Sequence, residues 1–128
     1  MIEILPESTD KILAVKATEK LTDADYKEVW IPALEKLIHE FGKINVVLHL
    51  DEEFQGWEAK ALWDDALFGV KHRKNFSRIA VVGGAKWMDW ATKIGELLME
   101  ECAIKMFAME DAQKAFDWVR GYGVAAHR

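Results

Sequence analysis

The chain has 128 residues, of which 51% are apolar and 30% charged, and its formal net charge is −5. This length suits one compact domain with a sizeable core, so we predict a single domain over residues 1–128, with 122–128 as a frayed tail. The negative charge argues against non-specific nucleic-acid binding, which needs a broad basic surface. The lone cysteine, Cys102, excludes an internal disulfide and favours a reducing compartment.

No targeting or membrane-spanning segment is evident in the sequence. The first eleven residues lack a basic segment followed by an apolar run, so we expect no signal peptide. No window approaches the roughly 18 apolar residues that a membrane span requires. We therefore expect a cytoplasmic protein.

The clearest helix of the chain is predicted between Thr22 and Phe41. Its apolar residues recur at i, i+3, i+4 and i+7, which indicates one buried face. Thr22 and Asp25 have the spacing of a capping box, and Gly42 ends the helix. Pro32 lies in the interior and predicts a kink, because proline has no N–H to donate.

The remaining segments alternate between strand and helix. The predicted strands are Ile2–Leu5, Lys11–Thr18, Ile44–Leu50, Arg78–Val82 and Ala103–Ala108, and the further helices cover 57–72, 86–100 and 110–120. The order ββαβαβαβα predicts an α/β fold with a mostly parallel five-stranded sheet, an opening hairpin and helices on both faces. Ligands of such folds bind beyond the carboxyl ends of the strands.

The predicted helix over 57–72 is apolar on two opposite sides. Leu62, Trp63, Ala66, Leu67 and Val70 form one face, and Trp57, Ala61 and Phe68 form a second patch. A surface helix needs only one apolar stripe, so we expect the second patch to contact a further molecule. The basic run Lys71-His72-Arg73-Lys74, with Arg78 nearby, favours an anionic surface such as lipid headgroups. Compensation of a helix dipole is the alternative reading of this run.

Residues for catalysis or metal binding do not form a recognisable set. Asp51, Glu52 and Glu53 follow a strand, but consecutive acidic residues in a loop seldom converge on one ion. Gly83-Gly84 matches no nucleotide-binding motif and is typical of a tight turn. His49 has no second histidine or cysteine at ligand spacing, and we expect it to be a hydrogen-bonded core residue. We therefore predict neither enzymatic activity nor a metal or cofactor.

One group of residues resembles a known family. Its members are Asp51, Phe54, Gly56-Trp57, Trp63-Asp64, Lys71-His72-Arg73, Phe76, Arg78-Ile79-Ala80-Val81-Val82-Gly83 and Trp87. Their order and spacing resemble the SpoIIAA-like family of small bacterial proteins, although that family favours Gly-Asp where this chain has Gly83-Gly84. The resemblance implies a STAS-like fold with distant kinship to CRAL-TRIO lipid-binding domains. The phosphorylatable serine of anti-sigma-factor antagonists has no counterpart here, because residues 51–57 contain neither serine nor threonine.

The sequence and the resemblance together favour a non-enzymatic module that binds a hydrophobic or amphipathic ligand and associates reversibly with a membrane surface. Helix 57–72 would act as a mobile lid. The expected apolar contacts are Phe54, Trp57, Trp63, Leu67, Phe68, Trp87 and Trp90, the headgroup contacts are Lys71, His72, Arg73, Lys74 and Arg78, and the hinges are Gly56 and Gly69. The alternative is a protein–protein interaction module whose apolar patch closes a homodimer or docks a regulator.

Overall fold

A computed structural model of the chain describes residues 1–6, 8, 11–58, 71, 73–83 and 103–120. The strands in these residues are β1 Ile2–Ile4, β2 Ile12–Ala17, β3 Lys20–Leu21, β4 Ile44–Leu50, β5 Gly56–Trp57, β6 Phe76–Gly83 and β7 Ala103–Phe107. The helical segments are α1 Asp23–Asp25, a π-helical stretch Tyr26–Trp30, α2 Ile31–Phe41, the 3₁₀ turns Arg73–Asn75 and Met109–Asp111, and α3 Ala112–Arg120.

The main sheet has five strands in the order β1-β2-β4-β6-β7. β1 pairs with β2 antiparallel, and the other neighbouring pairs are parallel, which confirms the opening hairpin and the mostly parallel sheet. β4 has the bounds that its apolar run predicts, and β6 begins two residues earlier than expected. The helix predicted over 86–100 and the tail from 121 onwards lie outside the described residues.

The capping box at the start of the first helix is present as predicted. The Thr22 hydroxyl accepts a 3.1 Å hydrogen bond from the Asp25 N–H, and the Thr22 N–H donates a 2.9 Å bond to the Asp25 carboxylate. These two bonds satisfy backbone and side-chain groups that a helix start would otherwise leave to water. At the other end Gly42 has φ +78°, a conformation that glycine adopts at little cost, and it ends α2.

The disturbance expected at Pro32 takes the form of a π-helical segment. Residues Tyr26–Trp30 form this wider segment, and the Ile31 N–H donates to the Tyr26 carbonyl five residues earlier. Pro32 then lies in the first turn of α2, where a missing N–H costs least. A π-type insertion is one of the established causes of a bend in a helix. Proline thus marks the place of the irregularity correctly, and the irregularity extends upstream of it.

Two apolar clusters lie on opposite faces of the sheet. Alternate residues of a strand point to opposite sides, so Val46 and Leu48 pack with Leu34 of α2, while Val47 packs with Ala115 and Phe116 of α3. Both clusters include side chains of β2, β4 and β6. This arrangement confirms the prediction of helices on both faces.

Asn45 fastens the end of α3 to the start of the sheet. It is a buried polar residue, 5% exposed, whose side-chain amide donates a 2.8 Å hydrogen bond to the Val119 carbonyl. Its side-chain oxygen accepts a 3.1 Å bond from the Arg78 N–H in β6. The last turn of α3 therefore lies where the parallel strands begin. We call this side the amino end of the sheet and the opposite side the carboxyl end.

Candidate functional site

The carboxyl end of the sheet is organised around Asp51, directly after β4. The Asp51 N–H donates a 3.0 Å hydrogen bond to the Ala17 carbonyl, which continues the contact between β2 and β4. Its carboxylate lies 3.6 Å from the Lys16 ammonium and accepts a 3.3 Å bond from the Glu53 N–H. The Asp51 side chain, which is half-buried, thus stabilises the turn after β4 and forms an ion pair with Lys16. The side chains of Glu52 and Glu53 are exposed.

Sequence reasoning did not connect Lys16 with Asp51 or with His49. The sheet register places Lys16 directly beside His49, and the alternation of the strands puts both on the α3 side of the sheet. Lys16 and His49 are each a polar residue near the end of an otherwise apolar strand, and this shared position would have indicated the group. Within the described residues, no group of three or more histidine, cysteine or acidic side chains is placed to hold a metal ion.

β6 ends at Gly83. Gly83 has φ +79°, and a Cβ built on it would lie 2.8 Å from the Leu50 carbonyl oxygen and 2.8 Å from the Met109 methyl carbon. Both the backbone conformation and the lack of space require glycine there. The tight turn that the sequence predicts at Gly83-Gly84 would follow here, but Gly84 and the residues after it lie outside the described part of the chain, so the turn stays a prediction.

Phe54 lies in the core. Its side chain is 1% exposed and belongs to the apolar cluster on the α2 side. The Phe54 N–H donates a 2.9 Å hydrogen bond to the Asp51 carbonyl, and this turn directs the chain back against the sheet. A ligand would reach the Phe54 side chain only if the α2-side core opened.

The segment that enters residues 57–72 is anchored by a small second sheet. β3 and β5 pair in parallel, with Lys20 beside Gly56 and Leu21 beside Trp57. Hydrogen bonds of 2.8 Å from Gln55 N–H to the Glu19 carbonyl, and of 2.8 Å from Glu58 N–H to the Leu21 carbonyl, extend this pairing on both sides.

The same pairing corrects the predicted start of the 57–72 helix. The helix does not begin at Trp57, because that residue is in β5 and Glu58 is not helical. Gly56, the expected first hinge, has φ +104° and is held inside β5. Any movement of the segment that leaves β3–β5 intact must therefore begin beyond Glu58.

Several of the predicted ligand, headgroup and hinge residues fall on parts of the chain that the structure does not describe. The side chains of Trp57 and Arg73 are not described, and further predicted residues lie outside the described part of the chain, namely Trp63, Leu67, Phe68, Gly69, His72, Trp87 and Trp90. Their assignments stay predictions.

The basic residues that are described divide into two kinds. Lys71, which is helical, and Lys74, in the turn before β6, are both exposed. Neither forms an ion pair in the part of the chain that the structure describes.

Arg78 is engaged within the protein. Its guanidinium donates to the Trp118 carbonyl and lies 5.4 Å from the centre of the Trp118 ring. The ring of Trp118 also packs against Phe107, with centroids 6.0 Å apart. Arg78 therefore completes the carboxyl end of α3, where cations are favourable, and projects on the α3 side of the sheet.

Comparison with known proteins identifies the fold family. The family model described as SpoIIAA-like matches residues 12–120. The chain belongs to the SpoIIAA-like family. This assignment covers the sheet from β2 to β7 and the two helices of the described residues that pack on it, α2 and α3.

A solved structure supports the same assignment. An uncharacterised protein of the DUF3478 family with a SpoIIAA-like fold, from Shewanella loihica PV-4, has 34% sequence identity and a TM-score of 0.69. The alignment covers 92% of this SpoIIAA-like chain and 93% of that protein. No curated protein matches the sequence. In the described part of this SpoIIAA-like protein, none of the helices has the length and apolar character needed to cross a bilayer.

Proposed function

We propose that this SpoIIAA-like protein is a non-enzymatic module that binds a hydrophobic or amphipathic ligand and associates reversibly with an anionic membrane surface. The observation that carries the proposal is the adjacency of two features in residues 57–74. The sequence of residues 59–70 predicts a helix with apolar side chains on two opposite sides, with Ala61 and Phe68 on the second side after Trp57 is assigned to β5. These residues are followed by exposed lysines, Lys71 and Lys74, that have no ion-pair partner among the described residues.

The two ends of the 57–70 segment support a lid with fixed ends. Its first residues are held by β3–β5 at the carboxyl end of the sheet, and Lys71 leads into β6 at the amino end. Phe54 and Arg78 have no part in the proposed contact surface, because Phe54 is enclosed and Arg78 is engaged with Trp118.

The apolar-ligand part is tested by mass spectrometry of an organic extract from freshly purified, denatured protein. A stoichiometric lipid or other apolar compound is the expected result, and Trp57→Ala and Phe68→Ala should each reduce its yield. A clean extract would contradict the ligand part. Together with a dimer in solution, it would favour the alternative in which the apolar patch is a protein–protein interface.

The membrane part is tested by flotation with vesicles that contain phosphatidylserine. Each basic residue near an anionic membrane contributes roughly 1 kcal/mol, so the variant Lys71→Glu/Arg73→Glu/Lys74→Glu should lose most of the floated fraction. Lys20→Glu/Lys27→Glu/Lys36→Glu is the control, because it makes the same change of charge at exposed lysines elsewhere, of which Lys27 also pairs with Asp23. Unchanged flotation of the first variant would remove the headgroup part of the proposal.

A further inference from the structure

A lysine precedes each of three parallel strands of the sheet. Lys11 comes directly before β2, Lys43 directly before β4, and Lys74 two residues before β6. Parallel strands begin on the same side of a sheet, so these lysines share the amino end although they are far apart in the sequence. The 57–72 segment contributes Lys71 to the same side.

Hydrogen bonds between the strand starts bring these lysines together. The Asn45 N–H donates a 2.8 Å bond to the Lys11 carbonyl, and the Asn75 side-chain amide donates a 2.8 Å bond to the Gly42 carbonyl, next to Lys43. Neighbouring strands lie about 4.8 Å apart, so the starts of β2 and β6, with β4 between them, lie about 10 Å apart. We call Lys11, Lys43, Lys71 and Lys74 the lysine rim.

The charges of the lysine rim are not neutralised within the described residues. All four side chains are exposed, and none has an ion-pair partner there. Among the described residues, Arg120 at the end of α3 adds a further positive charge on this side, and Glu40 and Asp117 add negative charges; Asp10, Glu100 and Glu101, close to the starts of β2 and β7 in the sequence, lie outside the described residues. Like charges about 10 Å apart repel each other at low ionic strength, where the Debye length is longer than their separation, and an anionic partner removes that cost.

The carboxyl end of the sheet has the opposite sign. The acidic residues that follow or flank the strand ends there are Glu19, Asp51, Glu52, Glu53, Glu58, Glu110 and Asp111. Among the described residues, charge is therefore unevenly distributed: acidic residues outnumber Lys16 and Lys20 at the carboxyl end, and lysines are more frequent where the strands begin. Such a molecule is oriented by a negatively charged plane, which attracts one end and repels the other.

We propose that the lysine rim is the face with which this protein contacts an anionic lipid surface, with the carboxyl end of the sheet turned away from the bilayer. This inference rests on the proposed membrane association and adds its orientation and two contact residues, Lys11 and Lys43. A lipid surface fits better than a nucleic acid, because the sequence that leads to Lys71 is rich in apolar residues, which enter a bilayer, and because the chain carries a net charge of −5.

The test compares two double variants by co-sedimentation with vesicles of phosphatidylserine and phosphatidylcholine at low ionic strength. Lys11→Gln/Lys43→Gln removes two charges of the rim. Lys20→Gln/Lys36→Gln removes two exposed lysines, one at the carboxyl end and one on α2. About 1 kcal/mol per lysine corresponds to about five-fold, so the rim variant should bind about 25-fold more weakly than wild type. The control variant should bind the vesicles within two-fold of wild type.

The outcomes separate the orientation from the membrane association itself. If both double variants bind the vesicles equally, whether more weakly than wild type or as well as wild type, the lysine rim is not the contact face. Binding of the wild type in that case still supports the proposed membrane association. Failure of the wild type to bind the vesicles overturns both. Tighter binding of the wild type to duplex DNA than to vesicles at equal salt also overturns the rim as a lipid-facing surface. A circular dichroism spectrum identical to wild type establishes that the variants are folded.

Discussion

The backbone N–H of Asn45 donates a 2.8 Å hydrogen bond to the carbonyl oxygen of Lys11. This bond lies just ahead of the paired residues of β2 and β4 and sets the two strand starts side by side. Asn45 also holds the end of α3 through its side chain, so one residue organises the amino end of the sheet. The position of the exposed lysines therefore depends on a buried polar contact beneath them.

Replacing Asn45 should destabilise the protein strongly. Asn45→Ala leaves the Val119 carbonyl and the Arg78 N–H without their partner, at about 1–3 kcal/mol for each buried group. Asn45→Asp should cost at least as much, because a carboxylate cannot donate to the Val119 carbonyl and places negative charge at a helix carboxyl end. Urea denaturation measures the free energy of unfolding of both variants. Asn75→Ala, which removes an exposed amide bond to Gly42, is the control and should cost less than about 1 kcal/mol. Equal losses for Asn45→Ala and Asn75→Ala would contradict this account.

Arg78 should contribute to stability and not to vesicle binding. Arg78→Lys keeps the positive charge but loses the flat guanidinium that lies over Trp118 and donates to its carbonyl, so we expect a loss of about 1–2 kcal/mol. Lys74→Ala should leave the free energy of unfolding within about 0.5 kcal/mol, as expected for an exposed side chain. Thermal denaturation gives the stability and co-sedimentation gives the binding. A stable Arg78→Lys variant that binds vesicles less well would place Arg78 among the headgroup contacts instead.

Gly83→Ala should be more harmful than Gly42→Ala, although the two glycines have nearly the same φ. A Cβ at Gly42 meets nothing within 4 Å, so that variant pays only the conformational cost of about 1–2 kcal/mol. A Cβ at Gly83 also collides with the Leu50 carbonyl and the Met109 side chain, which should add about 1–3 kcal/mol. The difference between the urea midpoints of the two variants measures the cost of the collision at Gly83. Equal midpoints would mean that the chain around Gly83 shifts freely.

The capping box should contribute about 1 kcal/mol to the free energy of unfolding. Thr22→Ala removes the acceptor of the Asp25 N–H, whereas Thr22→Ser keeps a hydroxyl in the same place and should be nearly neutral. In a double-mutant cycle Thr22 and Asp25 should show positive coupling, because each side chain bonds the backbone of the other residue. Purely additive losses would show that the two bonds act independently.

Features that depend on local sequence were predictable. The apolar run of β4, the Thr22–Asp25 capping box and the end of α2 at Gly42 each follow from residues close together in the chain. The alternation of strands and helices was sufficient for the five strands of the main sheet, their mostly parallel pairing and the helices α2 and α3.

Features that depend on contacts between distant segments were not predictable. β3 and β5 contain two residues each and have no periodicity, so their pairing arises only when the loop after β4 returns to the start of the first helix. Arg78 was grouped with Lys71 and Lys74 because it is near them in the sequence. Its place in β6 directs it to the α3 side, where its partner Trp118 is 40 residues away. The lysine rim was missed for the same reason, although the lysines ahead of β2, β4 and β6 are a visible signal.

The most direct test of the central claim compares wild-type protein on two kinds of vesicle. Co-sedimentation is measured with phosphatidylserine-containing vesicles and with phosphatidylcholine vesicles alone, at low and at physiological salt. The account predicts binding to the anionic vesicles that weakens as salt screens the lysines, and little binding to the neutral vesicles. Equal binding to both vesicles, or none to either, would contradict it.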